Sequence, residues 1–484
     1  MLFNSYIFWA FFLIVFVLYR LLPRHRWQNY MLLAASYVFY GYWDWRFLFV
    51  MLFSTVVDYY AAISIGRSPS RRTQKIILIA SITIQLGLLG LFKYYGFFSH
   101  ELAGLLSFLG LPVFLPALEF LLPVGVSFYT FQTMSYTIDV YRGNFKSEKS
   151  FVNFALFVSF FPHLVAGPLV RASKLLPQIS NPRVRRPDDF REGLYYVMLG
   201  LFKKVFVGDN LASIANSIFH TSPAHLSGLE CLVGIYAFAF QIYGDFSGYS
   251  SIAQGVAKWL NIELSLNFRM PYLSVSPPDF WGRWHISLST WFRDYVYVPL
   301  ARRGGKRPTK AHLYYTTIVV MLLSGLWHGA AWTFIVWGLF HGLLLCGYRM
   351  FTEARAWFFK RSGKPVAPPK TSFARRLFNI ALMFHLVCLG WLLFRAESMA
   401  QVWGMLHQML TDWRVTPFAV SSLVMIAFYA GPLMAYEFWL EGKQELLELT
   451  RVNWVLRGLA YSYCVLMLWL FPPLVSNVFI YFQF

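Results

Sequence analysis

The sequence predicts an all-α polytopic membrane protein, and three observations carry that reading. Hydrophobic residues make up 57% of the 484 positions and charged residues only 13%, with a mean hydropathy of +0.50. A soluble chain of this length needs far more polar surface. Apolar stretches long enough to cross a bilayer recur from end to end. None reads as the alternating ten-residue segments of a membrane barrel, so the spans are helices. The apolar content excludes a disordered chain, and four Cys exclude a disulfide scaffold. One integral-membrane domain covering 1–484 is expected.

Candidate spans lie near 6–22, 28–43, 46–66, 76–98, 121–140, 151–169, 191–207, 229–248, 311–327, 331–350, 377–395, 417–440 and 452–475. The run Tyr6–Tyr19 follows no basic segment and leads into Arg20, Arg24, His25 and Arg26 without a small-residue cleavage site. It reads as a first span, with the N-terminus outside, rather than a cleaved signal. The chain has 42 Lys+Arg against 22 Asp+Glu, a net charge of +20. These basic residues sit mainly in short loops between apolar runs, as the positive-inside rule requires, so no nucleic-acid partner is inferred. The same loops attract anionic lipid or a phosphate-bearing cofactor.

Loop charge also sets the topology. Arg20–Arg26 and Arg67–Lys75 fall on the cytoplasmic side with two spans between them. Arg142–Lys149 and Arg171–Arg186 are both basic, yet only 151–169 separates them. That stretch is therefore expected to be re-entrant or broken, and Phe161-Pro162-His163 and Gly167-Pro168 supply the break. Such backbone survives at membrane depth only where protein shields it or it lines a cavity. Segment 261–310 mixes aromatics, prolines and charges, and is expected to fold as short helices or re-entrant turns against the cytoplasmic side. Basic flanks at 302–310 and 349–376 make 311–350 a hairpin, and 361–372 reads as a linker.

Phosphate-loop, zinc-protease, nucleophile-elbow and CxxC motifs are all missing, and no ligand set for a metal emerges. Cys231, Cys346, Cys388 and Cys464 read as small buried hydrophobes. Histidine in apolar surroundings stands out instead. His328, in Leu326-Trp327-His328-Gly329-Ala330, falls near the middle of the expected hairpin. An ionisable residue there marks a functional site or a histidine bonded inside the bundle. Neutral imidazole can take a proton from a hydroxyl and pass it on. Gly325 and Gly329 are expected to let a substrate approach the backbone. His285 sits in Asp279-Phe280-Trp281-Gly282-Arg283-Trp284-His285, where indoles and a guanidinium could grip a nucleotide or phosphate or form an interfacial belt. His163, His341 and His385 read as core residues. Asp245 and Asp139 could orient a histidine or cap a helix.

Four ordered segments carry a resemblance: Ser159–Pro168, Gln241–Ser250, Phe280–Ser289 and Leu326–Ala330. Together with the terminal Phe479–Phe484 they resemble the membrane-bound O-acyltransferase superfamily, in its bacterial alginate O-acetyltransferase branch, over nearly the whole chain. The resemblance implies about 11–13 membrane-embedded helices, re-entrant segments included, around a central tunnel in the bacterial inner membrane. It implies His328 and His285 as catalytic residues, and Arg283, Trp284, Trp327 and Asp245 are read beside them as serving donor or substrate. It implies no permanently bound cofactor and no metal. Acetyl-CoA would be the cytoplasmic donor, and the acceptor an exported polysaccharide or an extracytoplasmic acyltransferase partner. Gly282 departs from the pattern, since a second basic residue often stands there. D-alanyl or other acyl transfer to a cell-wall polymer, a transporter and an export-complex scaffold are the alternatives.

Overall fold

The computed structural model describes residues 1–111, 123–165, 167–302, 308–362, 372–473 and 479–480. Of the described residues 80% are helical, and no strand occurs among them. Among the described residues, five helices are long and apolar enough to cross a membrane: Phe47–Arg67, Arg71–Phe108, Trp332–Arg361, Phe373–Arg395 and Pro417–Lys443. Tyr6–Leu21 and Trp454–Leu470 are shorter apolar helices. Other expected spans form helices that are shorter, less apolar or interrupted, which is why they fall outside this set. Most of the expected linker 361–372 lies outside the described residues.

In chain order the helices are α1 Tyr6–Leu21, α2 His25–Gly41, α3 Phe47–Arg67, α4 Arg71–Leu89, α5 Tyr95–Phe108, α6 Val126–Arg142, α7 Phe151–Ser159, α8 Phe161–Leu164, α9 Ala172–Ser180, α10 Asp189–Leu201 and α11 Asn210–Phe219. After these come α12 Gly228–Trp259, α13 Pro277–Arg283, α14 Ile286–Phe292, α15 Val298–Ala301, α16 Lys310–His328, α17 Trp332–Arg361, α18 Phe373–Arg395, α19 Met399–Thr411, α20 Pro417–Lys443, α21 Glu448–Arg451 and α22 Trp454–Leu470. Ser and Thr start many of them. Ser5, Ser70, Ser150, Ser276, Thr309, Ser372, Ser398 and Thr416 each accept from a backbone N–H of the first turn, satisfying donors a helix leaves open. The contacts divide the chain into two compact units.

The first unit comprises residues 1–201 and 249–265. Its centre is α6, buried at every position from Val126 to Thr137 and packed on α3 and α4. A polar seam joins α3 to α4: Asp58 accepts from Ser81 and, at 2.9 Å, from Gln85, whose oxygen accepts from Ser54 at 2.8 Å. Side-chain bonds of this kind hold helices together where lipid offers no hydrophobic driving force. The expected break in 151–169 is present: α7 stops at Ser159 and α8 starts at Phe161. Ser36 of α2 accepts from the freed Phe161 N–H at 3.1 Å, so protein shields the interruption.

The second unit comprises residues 202–248 and 266–480. The segment expected to be short and re-entrant is a chain of brief turns: 3₁₀ at Pro271–Leu273, then α13, α14, a π-helical turn at Arg293–Tyr297 and α15. A second π-helical turn, Phe202–Asp209, continues α10 into α11, where the sequence reading ends a span at 207. The expected hairpin is α16 and α17, joined across Gly329–Ala331. The two helices approach closely. A Cβ at Gly325 would come within 2.1 Å of the Phe334 carbonyl oxygen, and one at Gly338 within 2.3 Å of that of Met321.

Candidate active site

His328 is the last residue of α16 and is 3% exposed. Its ring is walled by Trp327 at 4.9 Å, Trp337 at 5.1 Å and Phe394 at 5.3 Å. His285 also contacts Trp327, at 6.2 Å. The fold therefore brings the two expected catalytic histidines to one indole, although 43 positions part them in sequence.

His285 is held in an unusual way. It caps α14 with φ +42° and ψ +53°, a left-handed conformation uncommon for a side-chain-bearing residue and frequent at functional positions. Its Nδ1 lies 3.0 Å from Asn267 Oδ1. Ser287 donates to the same oxygen through its hydroxyl at 2.9 Å and its backbone N–H at 3.4 Å. A backbone N–H can only donate, so the amide oxygen faces this point. Nδ1 therefore carries the proton, and Nε2 keeps its lone pair. Burial pushes the imidazole down to about 3, so it is neutral at working pH. Phe246 closes over the ring at 4.6 Å.

A cavity of about 560 Å³ opens beside the hairpin, within the usual range of small-ligand sites, roughly 300–1,000 Å³. Its wall includes Arg293, Tyr297, Leu345 and Arg349 towards the basic end of the hairpin and Trp281 and Ser324 further towards its tip. Ser324 lies four residues before His328, a rise of about 6 Å along α16.

Other expected site residues have different work. Arg283 gives its fork to Glu441, both bonds 3.0 Å, and its Nε to Asp279 at 2.7 Å. Burial opposes its charge, but these carboxylates hold it above its ordinary range. The guanidinium thus braces α13 against α20 rather than gripping a phosphate. Trp284 is 2% exposed and packs on Trp391 at 4.7 Å and Phe268 at 5.0 Å, so it is a core residue and not a stacking platform. Asp245 neither orients a histidine nor caps a helix. It lies within α12, paired with Lys204 at 2.6 Å and accepting from the Ile480 N–H at 2.7 Å. Gly325 and Gly329 admit no substrate: a Cβ on Gly329 would meet the Phe334 ring at 2.1 Å, and the Gly329 N–H is bonded to Gly325 O. These glycines serve the hairpin itself. His163 Nε2 lies 3.1 Å from Gln132 Oε1 while its buried Nδ1 has no hydrogen-bond partner among the described residues, and His385 is satisfied by Tyr236 and the Ala381 carbonyl, both at 2.7 Å.

The comparisons with known proteins identify the family. The model of the membrane-bound O-acyltransferase family matches residues 144–390. The chain is 40% identical over 440 residues to the probable alginate O-acetylase AlgI of Azotobacter vinelandii, covering 90% of this chain and 83% of the relative. The chain belongs to the membrane-bound O-acyltransferase family. It is also 39% identical to the probable alginate O-acetylase AlgI of Pseudomonas aeruginosa, covering 86% and 76% of the two chains. Identity to the peptidoglycan O-acetyltransferase of Helicobacter pylori is 31%, over 94% and 91%.

The protein is thus a multi-pass membrane O-acyltransferase. The stretch matched by the family contains both histidines and most of the cavity wall. Among the described residues, no group of three or more His, Cys, Asp or Glu could hold a metal ion. What the site offers an acyl transfer is neutral imidazole, indole N–H groups and two cationic side chains. Sequence reasoning missed Asn267, which orients His285, and Glu441, which occupies Arg283. Neither has a local signal, since their partners lie 18 and 158 residues away.

Proposed function

We propose that the protein moves an acetyl group from cytoplasmic acetyl-CoA for O-acetylation of an exported, alginate-like polysaccharide at the bacterial inner membrane, either directly or through an extracytoplasmic partner. The cavity carries the reading: it runs from two arginines to within one turn of His328. Arg293 and Arg349 would draw the anionic end of the donor to that mouth, and the acyl arm would follow the apolar wall inwards. The names of the similar proteins support acetyl as the acyl group.

In this reading His328 takes the proton of the acceptor hydroxyl. The hydroxyl oxygen attacks the thioester carbonyl carbon, the tetrahedral intermediate collapses, the C–S bond breaks, and the proton passes to the departing thiolate. His285, neutral and oriented by Asn267, accepts a hydrogen bond from donor or acceptor. The test is free-thiol release from acetyl-CoA by the detergent-purified protein and its His328→Ala variant, with and without an extracytoplasmic partner. The variant is expected to lose about 10²–10⁴-fold with an unchanged unfolding midpoint. Equal release by both forms would remove His328 as the base. Its absence from the wild type, even with a partner, would remove acetyl-CoA as the donor.

A further inference from the structure

We propose that Trp281, Trp337 and His341 form a carbonyl-binding niche at the inner end of the cavity, with the two indole N–H groups as donors to the acyl oxygen. The inference rests on the thioester reading above and extends it to residues that reading does not use. The three rings touch in a closed triangle: Trp281–Trp337 at 5.8 Å, Trp281–His341 at 5.2 Å and Trp337–His341 at 4.8 Å. Trp337 and His341 are each 1% exposed. Trp281 Nε1, Trp337 Nε1 and His341 Nε2 are all buried with no hydrogen-bond partner among the described residues. An indole N–H can only donate, and a buried donor left open is rare in a native fold. Three such nitrogens on mutually touching rings point to a ligand that completes them.

The position of the niche says which ligand. Trp281 also lines the cavity, and Leu345, on the same wall, lies one helical turn from His341. Trp337 touches His328 as well as His341. Of the three rings, Trp281 is the one on the cavity wall, and Trp337 and His341 both contact it. Gly390 lets the α18 backbone pack directly against His341, since a Cβ there would come within 2.7 Å of Nε2. The three side chains supply two neutral donors and no cation, which suits an uncharged oxygen that gains charge during reaction better than a phosphate. As the acceptor oxygen attacks, the carbonyl π electrons move onto oxygen. The indole N–H groups meet that oxyanion until collapse expels the thiolate. The closed Gly325–Gly329 turn cannot take this part.

Trp281→Phe and Trp337→Phe keep an aromatic face and remove only the N–H. Each is expected to lower kcat for thiol release about 10–10³-fold with KM changed less than about threefold. His341→Gln tests the third nitrogen in the same assay. Trp391→Phe, which loses an N–H bonded to Tyr272 at 3.1 Å, controls for a buried indole lost elsewhere. A second measurement does not need turnover: the infrared carbonyl band of a ketone analogue of acetyl-CoA, with CH2 in place of sulfur. Bound to the wild type, its band should lie below that of the analogue in an aprotic solvent, and it should move back in both Trp variants. Wild-type kcat in both Phe variants, or an unshifted band on the wild type, overturns the niche. Failure of the wild type to release thiol overturns the donor reading instead, and with it the ligand assigned here.

Discussion

Asn267 determines what His285 can do. An imidazole of fixed tautomer presents a lone pair at Nε2 only while an acceptor holds the proton at Nδ1. Asn267→Leu removes that acceptor and frees the ring, whereas Asn267→Asp keeps an oxygen in place. Thiol release should fall about 10–100-fold in the Leu variant and recover in the Asp variant, with both assayed beside the wild type. A Leu variant with unimpaired release would reduce Asn267 to packing. Histidines were legible in the sequence as polar residues in apolar runs, and His285 and His328 stood out for that reason. Their orienting groups were not legible, because nothing in Asn267 or its neighbours announces a partner 18 positions later. His341 read as a core residue for the same reason: its burial was legible, its open nitrogen was not.

Elements tell a different story, since periodicity and caps are local. The hairpin, the break near Phe161-Pro162 and the short turns of 261–302 followed from proline, loop charge and apolar length. The π-helical turns did not, because a widened turn has no residue signature of its own. Tight contact between α16 and α17 also escaped: glycine at 325 suggested an opening for substrate, but the Phe334 carbonyl fills it. Gly325→Ala overpacks this contact and should cost about 1–3 kcal/mol, read as a lower unfolding midpoint in detergent. Gly282→Ala makes the matched control, as a Cβ there meets nothing within 4 Å. The same open space would accommodate a basic side chain at 282. Equal midpoints for the two variants would mean that the hairpin yields more readily than its geometry suggests.

At the scale of the whole molecule, apolar surface and buried charge are inverted relative to a soluble protein. α5 and α22 bury no residue, and α22 displays Trp454, Leu459 and Trp469 outwards, as helices facing lipid do. Hydropathy alone made this legible. The interior, by contrast, holds Lys204 against Asp209 at 2.7 Å and Asp245 at 2.6 Å, with Lys203 against Glu437 at 3.4 Å. None of these pairs is visible in sequence, where two adjacent lysines look like the basic flank of a span. Lys204→Met strands two buried carboxylates and should cost about 3–5 kcal/mol. Adding Asp245→Asn should return part of that loss, and the two midpoints compared in one detergent decide the matter. No recovery would mean that the cost lies in packing rather than charge.

Asp245 also has a history. Its bond to the Ile480 N–H spans 235 residues, and ribosomes add roughly 5–20 residues per second. For about 10–50 s the nascent chain holds Lys204, Asp209 and Asp245 without the amide that completes them. The part of the chain that carries His285 and His328 therefore gains this contact only after a further 235 residues have followed Asp245. A chain released early would carry both histidines and lack the last contact to Asp245.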